Sequence, residues 1–303
     1  MRVAYITDEI YLRHKTGAMH PESPDRLIAI DNALEEIKDE LITVEPISVS
    51  EKIIELVHTP ELVEKVKEAS ANEMAIDSDT VCSIDSFLAA KKAVGAGVVA
   101  VDGVKDGKFV RAFCSVRPPG HHATPTEAMG FCLFNNIAIT ARYAQSVGYK
   151  KVMIIDFDVH HGNGTQETFW EDDTVFYFSS HQAFSYPGTG AESHTGEGKG
   201  KGYTANFLMM PESGDEVLLD IYQNDLPPLV KKFQPDIILV SAGYDLHESD
   251  PLASLNITTN GIRKMVRTIL SLRNVPYIFF LEGGYQLDAL GENVRVTVEE
   301  MLL

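Results

Sequence analysis

The sequence predicts an α/β fold, in which a central, mostly parallel β-sheet carries helices on both faces within a single domain, residues 1–303. Short runs of β-branched and aromatic residues alternate with helical patterns, and such near-continuous apolar strands are typical of a buried parallel sheet. The chain contains no Ser- or Pro-rich linker, low-complexity tract or repeat that would divide it. Its 44% hydrophobic content is sufficient for one large core.

Helices dominate the first third, after an opening strand in MRVAYITDEIY. A loop containing Pro and His, residues 14–24, leads into a helix predicted at 26–41, because apolar residues recur there at helical spacing. A second amphipathic helix follows Pro60. The Ala and Gly content of 86–104 is typical of a closely packed helix that ends near Gly107.

Strands and helices alternate over the remaining residues. The pattern at 217–233 is helical, but Pro227 and Pro228 are expected to break or kink the helix. Strands are predicted at 109–116, 152–156, 174–179, 237–241 and 277–281, and helices at 136–146, at 260–272 and at the C-terminus.

Composition excludes several classes of protein. The formal net charge of −18 disfavours non-specific binding to nucleic acid and favours cationic ligands. No apolar run approaches the roughly 20 residues of a membrane-spanning helix, and the first residues do not resemble a signal peptide. Cys82, Cys114 and Cys132 are separated in the chain, which suits a reducing compartment and argues against disulfides or a Cys-type zinc site. We expect a cytoplasmic protein without membrane or nucleic-acid partners, and we infer no obligate protein partner.

The segment VMIIDFDVHHGNG, residues 152–164, combines a buried strand with a polar end. Because successive side chains of an extended segment point to opposite faces, Asp156, Asp158 and His160 share one side. Phe157 and Val159 lie on the other side. Two carboxylates and an imidazole beside apolar neighbours are costly to bury without a compensating positive charge. A divalent metal ion is the simplest candidate for that charge.

Three further polar segments follow predicted strands: RPPGHH, GYD and EGGY. Open parallel α/β sheets bind ligands at the carboxyl ends of their strands, so the four segments are expected to converge on one site. A catalytic zinc typically has three protein ligands, and Asp245 is the candidate third ligand. A turn or helix-cap role for Asp245 and a metal-free hydrogen-bond network for Asp158 and His160 are the alternatives.

His121 and His122 follow a stiff Pro-Pro-Gly segment. Imidazole is suited to proton transfer near neutral pH, and adjacent residues rarely present both rings to one ion, so acid/base roles are preferred over metal ligation. Tyr285 follows a strand end, where a phenol suits an oxyanion; packing is the alternative. The other histidines are expected in core or capping roles: His14, His20, His58, His161, His181, His194 and His247.

Two loops are predicted to have no catalytic role. The Gly-rich segment 193–202 lacks the order of a phosphate-binding loop and is predicted to be a flexible loop. Asp77 or Asp79, in the loop before Cys82, is a candidate for contact with a substrate backbone, but a solvated loop acid is the preferred interpretation.

The motifs together resemble the zinc-dependent histone deacetylase superfamily, which includes class II-like bacterial and archaeal deacetylases, acetoin-utilisation proteins and acetylpolyamine amidohydrolases. The resemblance covers essentially the whole chain and follows the family's order: HPESPDR, RPPGHHA, GFCLFNN, DFDVHHGNGTQ, YPGTG, SAGYD, DPL and LEGGY. It implies one arginase-like domain with a central parallel sheet.

The resemblance implies roles for individual residues. Asp158, His160 and Asp245 match zinc ligands, while His121 and His122 match the paired active-site histidines. Three other positions match supporting or polarising groups: Tyr285 matches the tyrosine that polarises the carbonyl, Asp156 the acid beside His121, and Asn163 the residue beside His122. A monovalent-cation site for K⁺ or Na⁺ is implied at Asp156, Ser179 and Ser180, together with Asp158 and His160.

The resemblance also implies an acyl-lysine tunnel. Phe131 and Tyr186 match its aromatic walls, Gly130 matches its floor-side glycine, and Leu252 matches an apolar position at its mouth. A polyamine-selective relative places an acid at the Leu252 position. This chain also lacks an obvious long insertion between Ala71 and Cys82 like the one in dimeric acetylpolyamine amidohydrolases. Both departures favour a more open site.

The expected function is metal-dependent hydrolysis of an acetyl group from the primary amine of N-acetyl-lysine, with release of acetate. Zinc is the expected metal, and ferrous iron is the alternative. Acetylpolyamines or other small acylated amines are alternative substrates on the same site. A non-catalytic binder of acetylated ligands and a ureohydrolase with two metals are further alternatives.

Overall fold

The computed structural model describes residues 2–303 and contains one eight-stranded sheet. Every paired strand is parallel to its neighbour, in the order β2-β1-β3-β8-β7-β4-β5-β6, so the sheet is fully rather than mostly parallel. The strands are β1 Val3–Ile6, β2 Leu41–Val44, β3 Arg111–Cys114, β4 Val152–Asp156, β5 Val175–Gln182, β6 Thr204–Met209, β7 Ile237–Ala242 and β8 Tyr277–Leu281.

Ten α-helices surround this sheet in the described part of the chain. Helices α4 and α5 pack against each other, and α1, α9 and α10 form a second packed group, as expected for a parallel sheet covered on both faces. The helices are α1 Asp25–Leu34, α2 Glu51–Ile54, α3 Pro60–Ala71, α4 Ser86–Lys105, α5 Asn136–Ser146, α6 Asn163–Thr168, α7 Asp215–Asp220, α8 Leu226–Phe233, α9 Thr259–Ser271 and α10 Leu287–Leu302.

The centre of the sheet is the core of the molecule. Every residue of β4, β7 and β8 is buried, which explains why these strands are near-continuous apolar runs rather than alternating ones. The three cysteines are free and buried, as the sequence predicts. No helix within residues 2–303 is long and apolar enough to span a membrane.

The structure differs from the prediction in one helix end and in two additional strands. The helix predicted at 26–41 ends at Leu34, continues as a 3₁₀ segment Glu35–Glu40, and is followed by β2. β2 and β6 were not predicted, because both are edge strands whose residues are partly exposed and so lack a continuous apolar run. Pairing with a neighbouring strand decides both elements.

Pro227 and Pro228 interrupt the helical pattern, as expected. α7 ends at Asp220, a π-helical turn spans Ile221–Asp225, and α8 begins immediately before the two prolines. Proline is tolerated in the first turn of a helix because its missing N–H has no intrahelical partner there. The Gly-rich segment 193–202 contains a short 3₁₀ turn, Gly198–Gly200.

Candidate functional site

Four strands that are direct neighbours in the sheet, β3, β8, β7 and β4, carry the polar segments identified in the sequence. Their carboxyl ends lead into residues 117–122, 282–285, 243–245 and 157–164, respectively. Because the strands are parallel and adjacent, all four segments emerge at one edge of the sheet. This edge is the crevice in which open α/β sheets bind ligands.

Asp158, His160 and Asp245 form a tight cluster in this crevice. Each offers one ligand atom, and these atoms lie within 4.8 Å of one another. Nδ1 of His160 donates toward Oδ1 of Asp158 at 3.2 Å and Oδ2 of Asp245 at 3.1 Å. Within residues 2–303, this is the one such group of at least three His, Cys, Asp or Glu residues, so a second metal centre of this kind is not present there.

The cluster suits a divalent cation. Asp158 and Asp245 are 1% and 0% exposed, and the imidazole of His160 lies between their carboxylates. Burial and the charge of Asp158 raise the pKa of Asp245, which reflects the cost of two buried carboxylates without a cation. Gly283 leaves room here, since a Cβ on it would lie 2.1 Å from Oδ2 of Asp245. Carboxylate oxygens and imidazole nitrogens are both zinc ligands, and three protein ligands are typical of a catalytic zinc site.

His121 lies between two carboxylates. Its Nδ1 donates to Oδ2 of Asp156 at 3.2 Å, and its Nε2 lies 3.8 Å from Oδ2 of Asp158. Burial alone would lower the pKa of His121, but the carboxylates of Asp158, Asp156 and Glu282 raise it to about 10. Asp156 is itself held by the hydroxyl of Tyr177 at 3.0 Å.

His122 has the opposite electrostatic environment. Its Nδ1 donates to the amide oxygen of Asn163 at 2.8 Å, so its Nε2 carries the free lone pair. Burial, reinforced by the positive charges of His121 and His160, lowers the pKa of His122 well below its ordinary value. Two adjacent imidazoles whose pKa values are driven apart are typical of an acid/base pair with divided roles.

A narrow cavity of about 240 Å³ opens at this site. Most of the residues singled out from the sequence line its walls: His121, His122, Gly130, Phe131, Asp158, His160, Tyr186, Leu252 and Tyr285. Three of the predicted residues lie behind the residues that line the cavity. Asp245 contacts His160, Asp156 contacts His121, and Asn163 contacts His122.

Tyr285 lies beside Phe131, with ring centroids 5.9 Å apart in an edge-to-face arrangement. The guanidinium carbon of Arg26 is 5.0 Å from the Tyr285 ring centroid, and the Tyr285 N–H donates to Asp250 at 2.7 Å. Burial raises the pKa of Tyr285 well above its ordinary value, so its hydroxyl stays protonated and able to donate.

The residues predicted for a monovalent cation lie side by side. Asp156 and Ser179 are register partners between β4 and β5. The hydroxyl of Ser179 lies 2.9 Å from Nδ1 of His181, and that of Ser180 lies 2.9 Å from the hydroxyl of Tyr222.

Four of the histidines expected in core or capping roles are buried and hydrogen-bonded: His14, His58, His161 and His181. His20, by contrast, packs its ring edge-to-face on Phe131 at 4.7 Å, which places the 14–24 loop beside the cavity.

Sequence reasoning missed several residues at the site. Pro119 and Gly283 line the cavity. Asp79, one of the two loop acids considered for contact with a substrate, lines it as well, although a solvated loop acid is the interpretation that the sequence favours. Glu282 is fully buried directly behind it. An acid placed immediately after a buried strand, in the same segment as Tyr285, was the available signal for Glu282.

Comparison with known proteins agrees with this geometry. Residues 20–301 match the histone deacetylase domain. A protein of Oryza sativa subsp. japonica named histone deacetylase 10, chloroplastic, is 41% identical over 310 residues, covering 93% of this chain and 70% of that protein. A probable deacetylase of Archaeoglobus fulgidus is 36% identical over 296 residues, covering 95% of this chain and 82% of that protein.

Similarity to a solved structure extends over the whole fold. The crystal structure of the HDA15 HD domain superposes with a TM-score of 0.95 at 35% sequence identity, covering 99% of this chain and 88% of that one. The predicted α/β fold with a parallel sheet is thereby confirmed, as is the resemblance drawn from the motifs. The chain belongs to the histone deacetylase family and is a hydrolytic deacetylase.

Proposed function

We propose that this protein uses a zinc ion held by Asp158, His160 and Asp245 to remove the acetyl group from N-acetyl-lysine in proteins or peptides. The observation that supports this most directly is the arrangement of the cavity, which brings the three-ligand cluster, His122 and Tyr285 to one place. Zinc dependence is the norm of the family to which the chain belongs. Ferrous iron is the alternative metal.

A zinc ion held by these three residues would supply Lewis acidity and would lower the pKa of a water molecule. The protein residues supply the remaining chemistry. Neutral His122 accepts the proton of the attacking water through its Nε2 and returns a proton to the departing amine. The positive charge of His121, which is held by Asp156, assists electrostatically, and Asn163 keeps His122 in the tautomer that has its lone pair on Nε2.

Tyr285 is the proposed hydrogen-bond donor to the developing oxyanion. Its protonated hydroxyl belongs to the same cavity as the metal cluster, and packing against Phe131 holds its ring. A donor positioned before the reaction stabilises negative charge in the transition state without any cost of reorganisation.

The cavity walls suit a lysine side chain. Phe131 and Tyr186 are the proposed aromatic walls for its methylene groups, Gly130 lies at the level of His122, and half-exposed Leu252 stands at the mouth. Because Leu252 is apolar, no acid at that position selects a cationic polyamine. Acetylpolyamines and other small acylated amines remain the second substrate class, since the formal charge of −18 also suits polycations.

Asp156, Ser179 and Ser180 are the proposed site for a structural K⁺ or Na⁺ ion. Its support is the register pairing of Asp156 with Ser179 and the burial of all three side chains. The binding of a cation there would offset the negative charge of Asp156.

A substrate panel tests the proposed function. Protein reconstituted with zinc, and separately with ferrous iron, is assayed for kcat/KM on acetyl-lysine peptides, acetylputrescine and acetylspermidine. We expect the peptides to be the better substrates. A preference of several orders of magnitude for the polyamines would contradict the lysine assignment. Absence of turnover on every substrate in metal-loaded protein would instead support the non-catalytic binder.

A further inference from the structure

Glu282 is a fully buried carboxylate at the end of β8 that connects three strand ends. Its Oε2 accepts hydrogen bonds from the backbone N–H groups of Gly120 at 2.7 Å and His121 at 3.1 Å. Its Oε1 accepts the hydroxyl of Ser241, at the end of β7, at 3.1 Å. The carboxylate therefore joins the histidine loop to the sheet.

The backbone around Glu282 is held as well. The guanidinium of Arg26 donates to its carbonyl oxygen at 2.5 Å, and the N–H of the next residue, Gly283, donates to Oδ2 of Asp158 at 2.8 Å. The same dipeptide thus contacts both the histidine loop and a proposed metal ligand. A displacement of Glu282 would be transmitted to both groups.

The carboxylate is expensive to bury. Throughout residues 2–303 no Lys or Arg side chain forms an ion pair with it, and its hydrogen-bond donors are two peptide groups and one hydroxyl. Burial raises the pKa of Glu282 to about 7, although the nearby imidazole of His121 acts in the opposite direction. An amide side chain could accept the same backbone N–H groups at a lower desolvation cost, so stability alone does not account for Glu282.

We infer that Glu282 is a positioning residue for the deacetylation reaction. It fixes the position and orientation of His121 and His122 in the cavity through its hydrogen bonds to the Gly120 and His121 backbone. This inference rests on the proposed roles of the two histidines. Glu282 does not line the cavity, so it acts on the rate and not on the binding of substrate. The property that positions the histidines is the length of the Glu282 side chain, which lets one carboxyl oxygen contact both N–H groups.

Two conservative variants separate reach from charge. Glu282→Gln keeps the length of the side chain. Its amide oxygen accepts hydrogen bonds from both backbone N–H groups, and its NH₂ group donates to the hydroxyl oxygen of Ser241. Glu282→Asp keeps the carboxyl group but is one methylene shorter and cannot span the same groups. We expect kcat on an acetyl-lysine peptide to fall about 10- to 100-fold in Glu282→Asp and less than about fivefold in Glu282→Gln, with KM within about twofold in both.

The control is Glu300→Asp, the same change at a carboxylate that is 3% exposed but lies on α10 and pairs with Arg263 and Arg267. Its kcat should match that of the unmodified protein. The inference is overturned if Glu282→Asp retains kcat within twofold, or if Glu282→Gln loses as much as Glu282→Asp. The first result would remove the effect, and the second would show that the length of the side chain does not explain it.

Hydrogen exchange supplies a readout that needs no turnover. The amides of Gly120 and His121 should exchange faster in Glu282→Asp than in the unmodified protein or in Glu300→Asp. Unchanged protection of both amides would contradict the positioning role. If the unmodified protein hydrolyses no acetyl-lysine peptide, the proposed function fails, whereas the exchange measurement still tests whether Glu282 holds the loop.

Discussion

The imidazole of His122 donates through Nδ1 to the uncharged amide oxygen of Asn163 at 2.8 Å. The corresponding nitrogen of His121 faces the carboxylate of Asp156 at 3.2 Å. One histidine of the pair therefore has a neutral partner and the other a charged one. Burial and the neighbouring imidazoles of His121 and His160 lower the pKa of His122, whereas the carboxylates of Asp158 and Asp156 outweigh burial and raise the pKa of His121. The pair is thereby suited to divided roles, with His122 as the base.

Asn163→Asp should raise the pKa of His122, because a carboxylate beside Nδ1 stabilises the charged imidazolium. The base must be neutral to accept a proton, so the acidic limb of the kcat/KM profile should move to higher pH by about one unit. Steady-state rates from pH 5 to 9 measure this shift. An unchanged limb would mean that His122 is not the group whose deprotonation the profile reports.

Tyr285→Phe should lower kcat by about 100- to 1,000-fold with little change in KM, because the oxyanion loses one pre-positioned donor. Tyr143→Phe is the matched control. The hydroxyl of Tyr143, in α5, donates to Asp102, in α4, at 2.9 Å. Assays on one acetyl-lysine peptide compare the three proteins. Hydrolysis at the unmodified rate by Tyr285→Phe would remove this residue from the mechanism.

Asp245→Asn should abolish stabilisation by zinc, because one of three ligands loses its charge. In the unmodified protein, zinc at 100 times its Kd should stabilise the folded state by about 2.7 kcal/mol. Thermal unfolding with and without added zinc, after chelation, measures the difference. Equal zinc-dependent shifts in Tm for both proteins would place the metal elsewhere.

Gly130→Ala should reduce kcat by about 100-fold, because it disturbs the position of His122. Gly130 has φ +56°, and a Cβ there would lie 2.7 Å from Cδ2 of His122. Gly148→Ala is the control for backbone strain, since Gly148 has φ +116° but a Cβ would meet nothing within 4 Å. If both variants lose activity equally, strain and not the contact with His122 is responsible.

Glu22→Gln should lower the free energy of unfolding at pH 7 by about 3 to 5 kcal/mol, because it leaves two buried guanidinium groups without their carboxylate. Glu22 pairs with Arg117 and Arg26, and all three side chains are 0% exposed. Chemical unfolding at neutral pH measures the loss. A change below about 1 kcal/mol would indicate that the network contributes little net stability.

Glu22 also predicts a pH dependence of stability. Burial alone would raise its pKa, but Arg117 lowers it from 4.5 to about 2. Because the pKa is lower in the folded than in the unfolded state, the stabilisation is complete above about pH 4.5 and is lost as the pH falls toward 2. The Glu22→Gln variant should lack this component of the acid-induced loss, which unfolding curves across that range would show.

The local sequence was sufficient to find most of the groups that the structure assembles. Alternation along an extended segment predicts that Asp158 and His160 share one side. In the structure β4 ends at Asp156, and a bend at 158–160 brings both side chains to the cluster. The polar segments after β3, β4, β7 and β8 could be expected to meet, since the carboxyl ends of parallel strands share an edge. The central strands were recognisable because residues buried on both faces form continuous apolar runs.

Only the tertiary structure determined where the edge strands lie and which distant segments are in contact. β2 and β6 depend on pairing with a neighbour, and their partly exposed residues give no clear period. Glu282 contacts Gly120 across 162 positions of the chain, and Asp79 reaches the cavity from a loop. Such contacts follow from the order of strands in the sheet, which local propensity does not contain. The chain's sequence thus determined which chemical groups stand at the strand ends, while strand order determined which of them touch.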